Sequence, residues 1–100
     1  MAETFLLEII TPLRVVVSAQ VEEMTAPGVH GEFGVLPGHT FFITLLSRGE
    51  LSYRINGEKH FLMVGGGFAE VTHDRATVMV DLADPDEARL EKPLAKENLY

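Results

Sequence analysis

The sequence predicts a mainly β domain, an all-β sandwich or barrel with a short helix at its C-terminal end. Three observations lead there. Short β-like runs separated by turn residues fill the first four-fifths of the chain. Leu51, Tyr53 and Ile55 alternate with Ser52, Arg54 and Asn56, the period of a half-buried strand. Only after Asp84-Pro85 does the character of the chain change.

In chain order, residues 5–10 form a first strand stopped by Thr11-Pro12. The β-branched run at 15–17 opens a second strand that continues toward Val21 and Met24, and Ala26-Pro27-Gly28 breaks it. Residues 30–39 hold too much Gly and Pro for a helix, so they form a loop or short strands joined by tight turns. Residues 41–46 are apolar on both faces except Thr44, as expected of a strand buried between two layers. Arg48-Gly49 turns the chain into the alternating strand at 51–55.

Asn56-Gly57 signals a hairpin. A three-residue loop, 56–58, would pair Tyr53 with Phe61 and Leu51 with Met63 and unite one apolar face. A two-residue loop would pair Tyr53 with His60, so parity favours the longer loop. Gly65-Gly66-Gly67, the strand 68–72, the turn His73-Asp74-Arg75 and the strand 76–82 follow. Asp84 as N-cap, Pro85 at the first helical position and Asp86-Glu87 at the positive dipole end then start a helix that Pro93 stops. The expected division is a β domain over 1–84 and the start of a helical region or tail over 85–100.

One hundred residues make one ordinary domain. The net charge of −7 and the lack of any Lys/Arg cluster argue against nucleic acid and anionic lipid as partners. No uncharged stretch is long enough to span a bilayer, and the start of the chain lacks the basic character of a targeting segment. The absence of cysteine removes disulfides, thiolate metal sites and thiol nucleophiles. His30, His39, His60 and His73 lack the close spacing of a zinc ligand pair, so no metal is expected. None of Ser18, Ser47 and Ser52 sits in a nucleophile elbow, and Glu22-Glu23 point to opposite sides of a strand. Gly65 and Gly66 lead into a strand and not a helix, which favours a bulge or close backbone approach over a phosphate cradle. Catalysis has no visible machinery.

Gly31-Glu32-x-Gly34-x-x-Pro37-Gly38-His39 remains. Its glycines and Pro37 suit tight turns and close approach, with Glu32 and His39 as polar handles. Read from spacing alone, it is equally a shaped binding loop or a plain connection between strands.

This motif resembles the signature of the ATP synthase ε subunit. As in that family, an apolar strand and then a glycine, here Gly49, follow it. The likeness continues through Gly65-Gly66-Gly67-Phe68-Ala69-Glu70-Val71, the strand at 78–81 and Asp86-Glu87-Ala88-Arg89, covering roughly residues 5–91. The resemblance implies a flattened antiparallel β-sandwich with a short C-terminal helix. It also implies a non-catalytic rotor subunit of the central stalk, linking the γ subunit to the membrane c-ring on the cytoplasmic face of a bacterial membrane. Glu32, with Gly31 and Phe33 beside it, falls on the c-ring side. His39, Thr44, Thr11 and Phe42 fall where the family meets γ, and alternation sends one of Phe41 and Phe42 inward and the other outward. Gly34, Pro37, Gly38, Gly65 and Gly66 build the turns. The family's two long inhibitory C-terminal helices are not contained in these residues. Pro85-Asp86-Glu87-Ala88-Arg89-Leu90 matches the family's ATP-binding motif only at its Asp and Arg, so neither inhibition nor ATP binding is expected of this chain.

Overall fold

The computed structural model describes residues 3–91, which form ten strands. They are β1 (Phe5–Ile10), β2 (Val15–Val21), β3 (Glu23–Gly28), β4 (Gly31–Val35), β5 (Phe42–Leu46), β6 (Gly49–Ile55), β7 (Glu58–Val64), β8 (Gly67–Val71), β9 (Arg75–Val80) and β10 (Ala83–Glu91). The strands connect in the order β10-β7-β6-β3-β5-β8-β9-β1-β2, with β4 on the other edge of β3. The path bends at β3, which pairs with β6 along Glu23–Thr25 but meets β5 only where Gly28 faces Leu46. That bend divides the strands into two layers, β10-β7-β6-β3-β4 and β5-β8-β9-β1-β2. Every pairing is antiparallel except β1 with β9.

The core follows from strand alternation. β1 sends Phe5, Leu7 and Ile9 inward and Leu6, Glu8 and Ile10 outward. Ala69 and Val71 of β8 and Ala76, Val78 and Val80 of β9 join them, against Met24, Ala26, Leu51, Leu62 and Val64 of the first layer. Each large buried aliphatic side chain contributes about 1.5–3 kcal/mol.

Two hairpins of the second layer close with the same device. The amide and hydroxyl of Thr11 both donate to the Arg14 carbonyl, at 2.9 and 3.3 Å. Those of Thr72 both donate to the Arg75 carbonyl, at 2.8 and 3.3 Å. A threonine side chain thus doubles the backbone bond that closes each turn.

The structure departs from the sequence reading in four places. The 56–57 hairpin has the two-residue loop: Tyr53 faces His60, Leu51 faces Leu62 and Ile55 faces Glu58. Asn56 at φ 50° and Gly57 at φ 82° supply the paired positive φ values of such a turn. The parity argument failed because β7 is apolar on both faces. Leu62 and Val64 serve the core as well as Phe61 and Met63 would have, so turn chemistry decides. Tyr53 stacks on His60 with ring centroids 5.1 Å apart, and burial pushes its phenol above the ordinary value.

Second, Ala26-Pro27-Gly28 does not break the strand. β3 runs through them and the chain turns at Val29-His30. Pro27 has no N–H to donate, but its carbonyl accepts from the amide and hydroxyl of Ser47, at 2.8 and 3.3 Å. The bend falls earlier, at Glu22, between β2 in one layer and β3 in the other.

Third, β5 is not buried on both faces. Phe42, Thr44 and Leu46 point inward, while Ile43 and Leu45 are 59% and 62% exposed. Fourth, residues 85–91 are not helical. Pro85 pairs with Leu62, and Leu90 and Glu91 pair with His60 and Lys59, with a register shift between. A free edge on β7 offers the backbone ladder partners that outweigh the local helix-start signals. The remainder of the expected helix lies outside the described residues.

Candidate functional site

Strand registers divide the expected contact residues between two ends of the sandwich. Leu46, Gly67, Val80 and the Thr11 turn lie at one end of the second layer, and Phe42, Val71, Ala76 and Leu6 lie toward the other. Gly28 joins Leu46 at the first end, and the β3–β4 turn that follows carries Gly31 and Glu32 there. Both residues are exposed, and Gly31 has a φ of 126°, a region open mainly to glycine. Residues 36–41, with Pro37, Gly38 and His39, cap the opposite end before β5 begins.

Alternation along β4 separates Phe33 from Glu32. Glu32 stands outward, while Phe33 is half-buried with its ring against Gly28, where a Cβ would lie 3.2 Å from the Phe33 Cδ1. Phe33 meets the Phe42 ring edge-on at 5.6 Å, and Phe42 lies 5.1 Å from the His39 ring. An aromatic run therefore connects the His39 loop at one end with the hairpin bearing Glu32 at the other. Thr44 is half-buried on the inward face of β5, opposite Ala69, and Thr11 stands apart at the Glu32 end.

The sequence reading missed the outer face of the second layer. Ladder partners place Leu45 beside Phe68, Phe68 beside Met79, Met79 beside Ile10 and Ile10 beside Val15. This row crosses all five strands. Leu45, Phe68, Met79 and Val15 are 62, 40, 42 and 53% exposed. Ile43 extends the patch, while Glu70, Thr77 and Glu8 form the next row. Arg75 lies 3.7 Å from Glu8 on this face. A signal was present: β8 carries Phe68 next to inward Ala69, and β9 carries Met79 between inward Val78 and Val80, so bulky residues sit at the outward parity.

At the Thr11 end the row runs into a shallow groove of about 320 Å³. Ile10, Phe68 and Met79 line it with Thr11, Gly66 and Asp81. Close backbone approach requires a glycine at Gly67, whereas Gly65 meets only a side chain and Gly66 is open. A Cβ on Gly67 would fall 2.0 Å from the Met79 carbonyl oxygen, and one on Gly65 would strike the Asp81 carboxylate. Among the described residues, no three His, Asp or Glu side chains converge on a metal-sized site. His30 and His73 lie exposed in turns, and His39 is half-buried in its loop against Phe42.

Comparison with known proteins follows this geometry closely. Residues 4–86 match the family model of the ATP synthase delta/epsilon chain β-sandwich domain. The ATP synthase epsilon chain of Nitratidesulfovibrio vulgaris strain DP4 is 44% identical over 105 residues, covering 99% of this chain and 78% of that one. The epsilon chain of Citrifermentans bemidjiense is 47% identical over 96 residues, covering 95% and 70%. A chain of the Euglena gracilis mitochondrial ATP synthase shares the fold, with a TM-score of 0.80 at 24% identity, 97% of this chain and 59% of that one. A chain of the Tetrahymena thermophila central stalk and c-ring structure does so at 0.65 and 13% identity, covering 99% and 79%. Matched along nearly its whole length, the chain belongs to the ATP synthase delta/epsilon β-sandwich family.

Proposed function

We propose that this chain is the sandwich domain of the non-catalytic central-stalk subunit of an F-type ATP synthase. It links the γ subunit to the c-ring, so that ion-driven rotation of the ring reaches the shaft that drives ATP synthesis. It is peripheral to the membrane through the complex, on the cytoplasmic face of a bacterial cell. The sandwich, which among the described residues runs through β10 to Glu91, carries this role.

The observation that carries the reading is the apolar row across the second layer. A domain of this size that keeps Leu45, Phe68, Met79 and Val15 in water on one continuous face has a protein partner for it. In this reading γ is that partner. Thr11 borders the row at the groove, whereas Phe42 and Thr44 lie on the inward side of β5, the strand at the edge of the same layer, with His39 in the loop before it, so their part in the interface is at that edge and not on the row. Glu32 and Gly31 face the c-ring from the β3–β4 turn, where a carboxylate can accept charge-assisted hydrogen bonds from a ring loop. Phe33 supports that turn from behind. Torque transmission needs a body that does not yield, and two interlocked layers with a dry core meet that need.

Calorimetric titration of the chain against its cognate γ subunit, wild type beside His39→Ala, tests the proposal. Stoichiometric binding weakened by the substitution is expected. A folded γ that takes up no wild-type chain would sink the stalk assignment.

A further inference from the structure

The groove beside the middle of the apolar row, at the Thr11 end of the layer, has the form of an anchor site. Its walls are Ile10, Phe68 and Met79, and Asp81 and Thr11 stand on its lip. No side chain of this domain can fill the recess from the Gly67 position, because the Met79 carbonyl oxygen occupies the place of a Cβ. One wall is a methionine, whose unbranched thioether adapts to the shape of a guest. Protein interfaces concentrate their binding energy in recesses of this kind, where a large side chain is desolvated and the surrounding apolar contacts exclude water. The row from Leu45 to Val15 supplies such a surround.

We propose that this groove seats one ring-sized or long aliphatic side chain of γ, carried beside a lysine or arginine that meets Asp81. The inference rests on the reading that γ covers this face. The anchor is apolar because the walls are apolar. The neighbouring cation follows from Asp81 in the lining, Glu70 in the next row and the excess of fifteen acids over eight Lys plus Arg, Glu8 being already beside Arg75. The rest of the row contributes complementarity, and the groove contributes most of the affinity.

The test compares positions at two places on one row. Met79→Lys and Val15→Lys both put a cation on a side chain already 42–53% exposed, so the fold tolerates each, and unchanged thermal unfolding checks this. Against cognate γ, Met79→Lys is expected to weaken binding by at least ~30-fold, and Val15→Lys by less than ~5-fold. Asp81→Asn is expected to weaken it several-fold at low salt and little at high salt. Equal losses at Met79 and Val15 would overturn the anchor while leaving γ on this face. Tight binding by wild type and both lysine variants would mean that γ covers another face, and the anchor fails with it. An Asp81→Asn variant that matches wild type at both salts removes the neighbouring cation from the proposal.

Discussion

The two outer faces of the sandwich differ in kind. On the second layer, Ile43, Leu45, Phe68, Met79 and Val15 stand in water side by side. On the first, the outward positions of β3 and β6 are Glu23, Thr25, Glu50 and Arg54, with Ser52 buried among them. Glu23 and Arg54, ladder partners there, form a 2.9 Å ion pair. Its aromatic residue, Phe61, is buried with the Lys59 ammonium 5.6 Å from the ring centre, which leaves Met63 as the exposed large apolar side chain. One core serves both layers, so folding alone does not require this asymmetry. Covering a single face with another protein does.

The sharpest way to break the comparison is to move the same chemistry from outside to inside. Leu7→Ala empties a fully buried site and should lower unfolding free energy by about 2–5 kcal/mol in denaturant titration. Ile43→Ser on the exposed face of the same layer should change it by less than about 0.5 kcal/mol, yet reduce γ binding. A large stability loss at Ile43 would mean that the apolar face belongs to the fold and not to a partner.

The glycine run beneath the groove gives a graded second test. Gly67→Ala meets backbone, with the Met79 oxygen at 2.0 Å and the Val80 Cα at 2.8 Å, and should cost about 2–3 kcal/mol. Gly65→Ala meets only the end of the Asp81 side chain, which can swing away, so about 1 kcal/mol is expected. Gly66→Ala finds nothing nearer than the Leu46 oxygen at 3.7 Å and should stay within about 0.5 kcal/mol of wild type. Thermal unfolding of the three variants ranks them, and any other order contradicts the close-approach reading.

On the polar side, Gly57→Ala forces a side chain into a φ of 82° and should cost about 1–2 kcal/mol, read by the same method. The smallest effect belongs to the Glu23–Arg54 pair. A double-mutant cycle should return no more than about 1 kcal/mol, falling in salt, because both side chains are about a third exposed (33 and 36%).

What could be read in advance follows the same division. β1 was legible to the residue because Thr11-Pro12 ends an uninterrupted β-like run. Gly31, Gly38 and Gly67 were legible because a positive φ or a backbone contact dictates residue type directly. The outward set of β5 was not, since an unbroken apolar run looks the same whether its second face meets a core or a partner. The hairpin register was misread for a related reason: an apolar–apolar β7 removes the parity signal. Residues 85–91 carry caps suited to a helix, but a sheet edge beside them is a tertiary fact that no local signal contains. Of the site residues, Glu32 and His39 were visible as polar groups on a glycine frame, whereas Leu45, Phe68 and Met79 join one row only through ladder pairing.

The parallel pairing of β1 with β9 governs how this domain is made. Leu6 lies beside Arg75, so among the ten described strands β1 waits for β9 before its ladder on that side can form. On the ribosome, β1 and β2 can zip together early, but the layer stays split until β9 emerges. During that interval the inward face of β1 and the outward row of β5 are both uncovered. The nascent chain is then at its most vulnerable to aggregation, and a partner that later covers the row arrives too late to protect it.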